Sequence, residues 1–253
     1  MKKIIFSKQA DCDAELLPLW YWWYTNVFPV DQFIILAASV RSVTKIDQVR
    51  EFWKDKKNVI YHEKLYDEWF APKVWEDQRA QVKKLLPPTN YLALSVDLDE
   101  FFEYPDEDQL KGLNAIAFTQ ARFWSPKTPT LDNIKDLQVF DLKNGGDFLS
   151  NGSVRRGGFI NNMNHSQITT TGLIKNAPIS GLYFFHFHFR GIEWFKNKFG
   201  KMKYAVQGPG ASRHWKNYTA FIQRTKVFDT YYEKLLNNSN TSIFVSRFKN
   251  YFK

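Results

Sequence analysis

The chain has 253 residues, 44% of them hydrophobic and 24% charged, a balance that supports one sizeable core and excludes disorder throughout. Its 35 Lys and Arg against 26 Asp and Glu give a formal net charge of +9, which favours anionic partners; no long Lys/Arg block stands out, so a dedicated nucleic-acid binder is not expected. Cys12 is the single cysteine and the N-terminal apolar run is too short for a signal peptide, so the expectation is a disulfide-free cytoplasmic protein.

Taken in chain order, the opening segments alternate strand and helix. Lys3–Ser7 reads as a short apolar strand. Glu15–Phe28 is a helical stretch of Leu and aromatic residues, interrupted early by Pro18. Phe33–Val40 is a nearly continuous apolar run, which suits a parallel strand covered on both faces. Ile46, Val49, Phe52 and Trp53 recur at helical spacing, with Thr44 and Asp47 placed as a capping pair. Val59–Tyr61 is a further strand, and Trp75, Gln78, Val82, Leu85 and Leu86 mark a helix that Pro87 and Pro88 terminate. Tyr91–Val96 is a buried strand that runs into Asp97-Leu98-Asp99-Glu100. This succession is the doubly wound pattern, in which ligands bind beyond the carboxyl ends of the strands.

The second half is less regular. Ala115–Phe123 and Leu182–Phe189 read as strands, Tyr218–Leu236 as a helix, and Asn144–Asn162, rich in Gly and Asn, as loop. Arg155 and Arg156 fall in that loop, where a solvated pair is the plainer reading and a diphosphate clasp the sharper one. No phosphate-binding loop of the P-loop type and no dinucleotide fingerprint is present, so ATP and NAD chemistry lack support.

Asp97 and Asp99 carry the chemical interest. Two carboxylates one residue apart can turn toward one ion at a strand end, and hard oxygen ligands suit Mg²⁺ or Mn²⁺ shared with substrate phosphates. The plainer alternative is a solvated acidic turn. His186 and His188, two apart on a strand, share a face; His188 is the functional candidate and His186 the structural one. The aromatic residues, 23 Phe, 12 Tyr and 9 Trp, are core fillers first, and their flat faces also suit sugar rings.

Three blocks carry a family resemblance. Glu15-Leu16-Leu17-Pro18-Leu19-Trp20 followed by Tyr24 resembles the E-x-L-L-x-x-W segment that opens many family-2-like glycosyltransferases. Gln81 through Glu100, an apolar strand running into Asp-x-Asp-Glu-Phe, resembles their central block. His188-Phe189-Arg190-Gly191-Ile192-Glu193-Trp194-Phe195, with Lys198 and Gly200, is similar to their C-terminal H-x-x-[RK]-S-x-E-x-F-x-x-K motif, shortened by one residue. The blocks occur in the family's order and span most of the chain.

The resemblance implies an α/β protein with the Rossmann-like A-type glycosyltransferase fold: a mostly parallel sheet, helices on both faces and a loop-rich C-terminal half. It implies one domain over 1–253, with 1–104 holding a nucleotide-sugar donor, 105–236 an acceptor, and 237–253 as a tail. It implies transfer of a sugar to a glycan or lipid-linked acceptor. Mn²⁺ or Mg²⁺ is then held by Asp97, Asp99 and His188, and the donor is bound by Ser7, Glu15, Arg41 and Asp97. Arg41 enters because Ala38-Ser39-Val40-Arg41-Ser42 stands where the family's second strand ends in a D-x-x-S-x-D turn. For an inverting reaction the base candidates are Glu193 and Asp147; each also fits a helix-start or turn acid, and a retaining reaction needs neither.

Two other classes compete. Haloacid dehalogenase-type phosphatases also place Asp-x-Asp at a strand end, but normally after the first strand. A basic, aromatic-rich module binding glycan or nucleic acid without turnover is the third reading. Last, Phe244, Phe248, Tyr251 and Phe252 recur at near-helical spacing with Arg247, Lys249 and Lys253 between them. Such a tail either packs its aromatic face on the domain or lies weakly on the inner membrane face.

Overall fold

A computed structural model describes residues 1–40, 45–66, 80, 84–85, 90–111, 113, 115–141, 155–160, 179–191, 194 and 243–253. Within these residues the chain is an α/β protein built on one sheet. The strands are β1 (Lys2–Gln9), β2 (Gln32–Val40), β3 (Val59–Tyr66), β4 (Tyr91–Ser95), β5 (Glu100–Phe102), β6 (Ala115–Ser125), β7 (Phe140–Asp141), β8 (Arg155–Ile160) and β9 (Ile179–Arg190). The helices are α1 (Leu17–Asn26), α2 (Asp47–Trp53), α3 (Glu107–Leu110) and α4 (Ile243–Asn250), with a 3-10 helix over Asp11–Leu16 leading into α1.

The strand order is β3-β2-β1-β4-β8-β6-β9-β5, and β7 pairs with β6. Its first four strands are parallel throughout. Beyond β4 the sheet is mixed: β8 runs antiparallel to both β4 and β6, β6 and β9 are parallel, and β5 is antiparallel to β9. Strands from both halves of the chain therefore complete a single sheet. The chain lays down β1, β2 and β3 to one side and then places β4 on the other side of β1, so the winding direction reverses between β1 and β4.

Burial explains the apolar runs. Ile4, Ile5 and Phe6 of β1 and Phe33 through Ala38 of β2 are all buried, whichever face they point to, as parallel strands covered on both faces require. One face packs on Trp20, Trp23 and Tyr24 of α1 and Val49 and Trp53 of α2. Further along, Phe101, Phe123, Phe185 and Phe187 continue that face beneath Phe248 of α4. The tail thus packs its aromatic face on the domain. Among the described residues, no helix is long and apolar enough to cross a membrane.

Several elements differ from the sequence reading, each for a local physical reason. Pro18 does not interrupt α1 but sits in its first turn, where a missing N–H has no helical partner to lose. Strand β3 continues past Tyr61 to Tyr66; it is the edge of the sheet, where His62, Glu63 and Lys64 are tolerated half-buried or exposed and blur the apolar signal. The cap of α2 is remote: its N-cap Ile46 makes no side-chain bond, and Asp11 Oδ1 accepts the backbone N–H groups of Gln48 and Val49, each at 3.1 Å. Thr44 lies outside the described residues. Strand β8 occupies part of the stretch read as loop, because pairing on both sides overrides the weak strand propensity of Gly157 and Gly158; Arg155 and Arg156 are accordingly strand residues. The helices expected around 75–86 and over 218–236 lie mainly or wholly outside the described residues.

Candidate functional site

The site is built from the α1 aromatics upward. Trp20, Trp23 and Tyr24 each spend a polar atom on the backbone that follows β4. Trp20 Nε1 donates to the Asp97 carbonyl at 3.1 Å, and Trp23 Nε1 donates to the Phe102 carbonyl at 2.7 Å. Tyr24 Oη donates to the Glu100 carbonyl at 2.9 Å and accepts the Phe102 N–H at 3.0 Å. A buried aromatic with a polar tip must find a partner, and here all three find one in the same short segment.

The Asp97–Glu100 segment closes on itself as a turn. Glu100 N–H donates to the Asp97 carbonyl at 3.1 Å, and Asp97 N–H donates to Glu100 Oε2 at 3.0 Å. Glu100 is fully buried, and Leu98 between the two aspartates is buried as well. Asp97 and Asp99 remain partly exposed. The core therefore takes Leu98 and leaves the flanking carboxylates beyond the end of β4, beside β1.

Strand β9 supplies the next layer. Phe187 N–H donates to the Asp99 carbonyl at 2.9 Å. His186 stands in register with Glu100 on β5 and with Arg122 on β6, and its Nε2 lies 3.6 Å from Asp99 Oδ1. Its Nδ1 meets Gln120 Nε2 at 2.6 Å, and Gln120 Oε1 accepts from Arg122 Nε at 2.8 Å. Burial lowers the Arg122 pKa from its ordinary value. His188 is also on β9, but the β6–β9 register shifts between Phe123↔Phe187 and Trp124↔Phe189. That shift falls at His188 on β9.

A second acidic pair, Asp11 and Asp13, follows β1 and is engaged by protein groups. Asp11 caps α2, as described above. Asp13 Oδ1 accepts from Arg190 Nη2 and, at 3.3 Å, from Trp194 Nε1. The Arg190 guanidinium is buried and lies 4.1 Å over the Trp194 ring. These carboxylates are spent on structure, which does not favour a phosphoryl-accepting aspartate after the first strand.

Gly191 makes this arrangement possible. Its φ is +87°, and a Cβ there would sit 2.3 Å from the Pro126 carbonyl oxygen. Gly191→Ala should therefore destabilise the protein by about 2 kcal/mol or more, since left-handed strain and a backbone clash act together. Thermal unfolding followed by circular dichroism should show a melting point lower by roughly 4–8 °C; an unchanged value would refute the requirement.

Of the residues expected from sequence, Ser7 is buried within β1, and its Oγ has no hydrogen-bond partner among the described residues. Glu15 is exposed and accepts the Thr128 hydroxyl at 2.6 Å. Asp97 and Asp99 share the turn after β4. His188 is placed on β9 by its backbone, and Arg41, Asp147 and Glu193 lie outside the described residues. Sequence reasoning missed Gln120, Arg122 and Asp13. Gln120 and Asp13 bond to residues 66 and 177 positions away, Arg122 enters only through Gln120, and nothing local announces that.

Asp97 and Asp99 offer hard oxygen donors on one turn. Among the described residues, no group of three or more His, Cys, Asp and Glu side chains is arranged to hold a metal ion. Mg²⁺ and Mn²⁺ sites commonly use one or two carboxylates and take their other oxygens from water and phosphate. A scan against family models finds no match for the chain, and no curated protein sequence matches it.

Proposed function

We propose that the chain is a divalent-metal-dependent glycosyltransferase with the Rossmann-like A-type fold. It would move a sugar from a nucleotide-diphosphate-sugar to a glycan or lipid-linked acceptor, in the cytoplasm. One observation carries the reading. The Asp97-Leu98-Asp99 turn lies beyond the carboxyl end of β4, where the winding of the parallel strands reverses between β1 and β4. In open α/β sheets the ligand crevice lies at that point.

Asp97 and Asp99 would hold Mn²⁺ or Mg²⁺ together with the donor phosphates, with His188 as the third protein group. The ion would supply Lewis-acid stabilisation of the departing diphosphate. The chain's own part is positional. Trp20, Tyr24 and Glu100 fix the backbone of the turn, so the segment that carries the carboxylates is set before the donor arrives. Ser7, Glu15 and Arg41 are the proposed donor contacts, and Glu193 or Asp147 the proposed base.

A donor-hydrolysis screen with Mn²⁺ tests the reading. Release of nucleotide diphosphate from a sugar nucleotide, lost in chelator and regained with metal, is the expected result. Phosphate release from a monoester would support a phosphatase instead, and tight binding of glycan or nucleic acid with no turnover would support the binding module.

A further inference from the structure

We propose that Gln120 and Arg122 fix the tautomer of His186, placing its proton on Nε2 toward Asp99. His186 is then a positioning residue for that carboxylate and not a ligand of any ion it holds. The consequence for the ion rests on the function proposed above; the tautomer itself does not.

The argument is one of donors and acceptors. Arg122 Nε lies 2.8 Å from one end of the Gln120 amide. A guanidinium has donors only, so that end must be the carbonyl oxygen. The other end is then the NH₂ group, and it lies 2.6 Å from His186 Nδ1. Nδ1 must accept, so the ring proton sits on Nε2. Nε2 faces Asp99 Oδ1 at 3.6 Å, beyond hydrogen-bond length but close enough for an N–H dipole to orient a carboxylate. Flipping the Gln120 amide would set its NH₂ against Arg122 Nε–H, two donors with nothing to accept them.

The scaffold holds this chain of contacts in place. Gln120 is buried at 7% exposure, and Gln120 and Arg122 are two apart on β6, which puts them on one face. Arg122 stands directly across from His186, and Glu100 stands across from it on the other side. Three paired strands therefore set the spacing. With its Nε2 lone pair replaced by N–H, His186 cannot coordinate; it supports Asp99 from outside, as partners of metal ligands do.

Long-range ¹H–¹⁵N correlation on the full chain, labelled at histidine and free of metal, reads the tautomer directly. A His186→Gln sample identifies the signal by its loss. The expected pattern is a proton-bearing Nε2 and an unprotonated Nδ1, unchanged on adding Mg²⁺. A carboxylate at Gln120 would accept from Nδ1, so Gln120→Glu should reverse the pattern. A proton on Nδ1 in the native chain, alone or with one on Nε2, overturns the proposal. So does loss of the Nε2 proton on adding Mg²⁺. Calorimetric titration of Mg²⁺ into the same sample separates the two claims: absence of binding removes the metal reading and leaves the tautomer result standing.

Discussion

Asp99→Asn should abolish most metal-dependent donor turnover and leave the fold intact. Asp99 is partly exposed, with 16% of its side chain accessible, and its backbone carbonyl accepts the Phe187 N–H. Asparagine keeps that bond and the side-chain volume and removes one negative charge. If Asp99 holds the ion, the loss falls on affinity for metal and on stabilisation of the departing diphosphate. The expected fall in kcat/KM is on the order of 10³-fold, about 4 kcal/mol. Glu100→Gln should behave differently. Glu100 is fully buried and its Oε2 accepts the Asp97 N–H, a bond that an amide oxygen can also accept. Turnover should fall about 10-fold or less, as removal of outer-shell support commonly does, with part of the effect visible as lost stability. Nucleotide release at matched Mn²⁺, read beside thermal melts, compares the two. Native turnover by Asp99→Asn, or a larger loss from Glu100→Gln at unchanged stability, would remove Asp99 from the centre.

Much of this framework is legible in the sequence because it depends on short-range pattern. The β2 run from Phe33 is apolar on both faces because the strand is buried on both faces. The Asp97–Asp99 turn is legible because an apolar strand runs straight into acids. The Trp20-x-x-Trp23-Tyr24 cluster is visible only as aromatic excess; what it does, bonding the backbone from Asp97 to Phe102, needs contacts across 76 to 79 positions. The same limit hid what His186 does, since its bond to Gln120 spans 66 positions. Strand β8 was illegible for another reason: glycine has no side chain to carry a period, so Gly157 and Gly158 look like loop until β6 pairs with both and β4 with Gly158.

Phe248→Ala should be among the most destabilising single substitutions among the described residues. Its ring is fully buried. It stacks on Trp23 at 5.3 Å between centroids and meets Phe101, Phe123, Phe185 and Phe187 edge-on at 5.1 to 5.9 Å. Removing such a side chain costs the transfer energy of the ring and leaves a cavity that rigid neighbours cannot fill, together about 3–5 kcal/mol. The helix carrying it has eight residues, too few to persist unsupported, and without Phe248 it is held by buried Val245, by Lys249 Nζ on the Lys135 carbonyl at 3.1 Å, and by the Glu103 carboxylate, which accepts from Arg247 and from Tyr251 Oη. Phe185 and Phe187 flank His186 on β9, so loosening this contact loosens the strand that faces Asp99. Urea unfolding of the isolated protein, without vesicles, gives the measurement. An aromatic face reserved for a membrane would leave the midpoint nearly unchanged, and a loss below about 1 kcal/mol would favour that reading. Phe244→Ala provides the comparison on the same helix: that ring is only partly buried, against Tyr183, and its loss should cost roughly 1 kcal/mol.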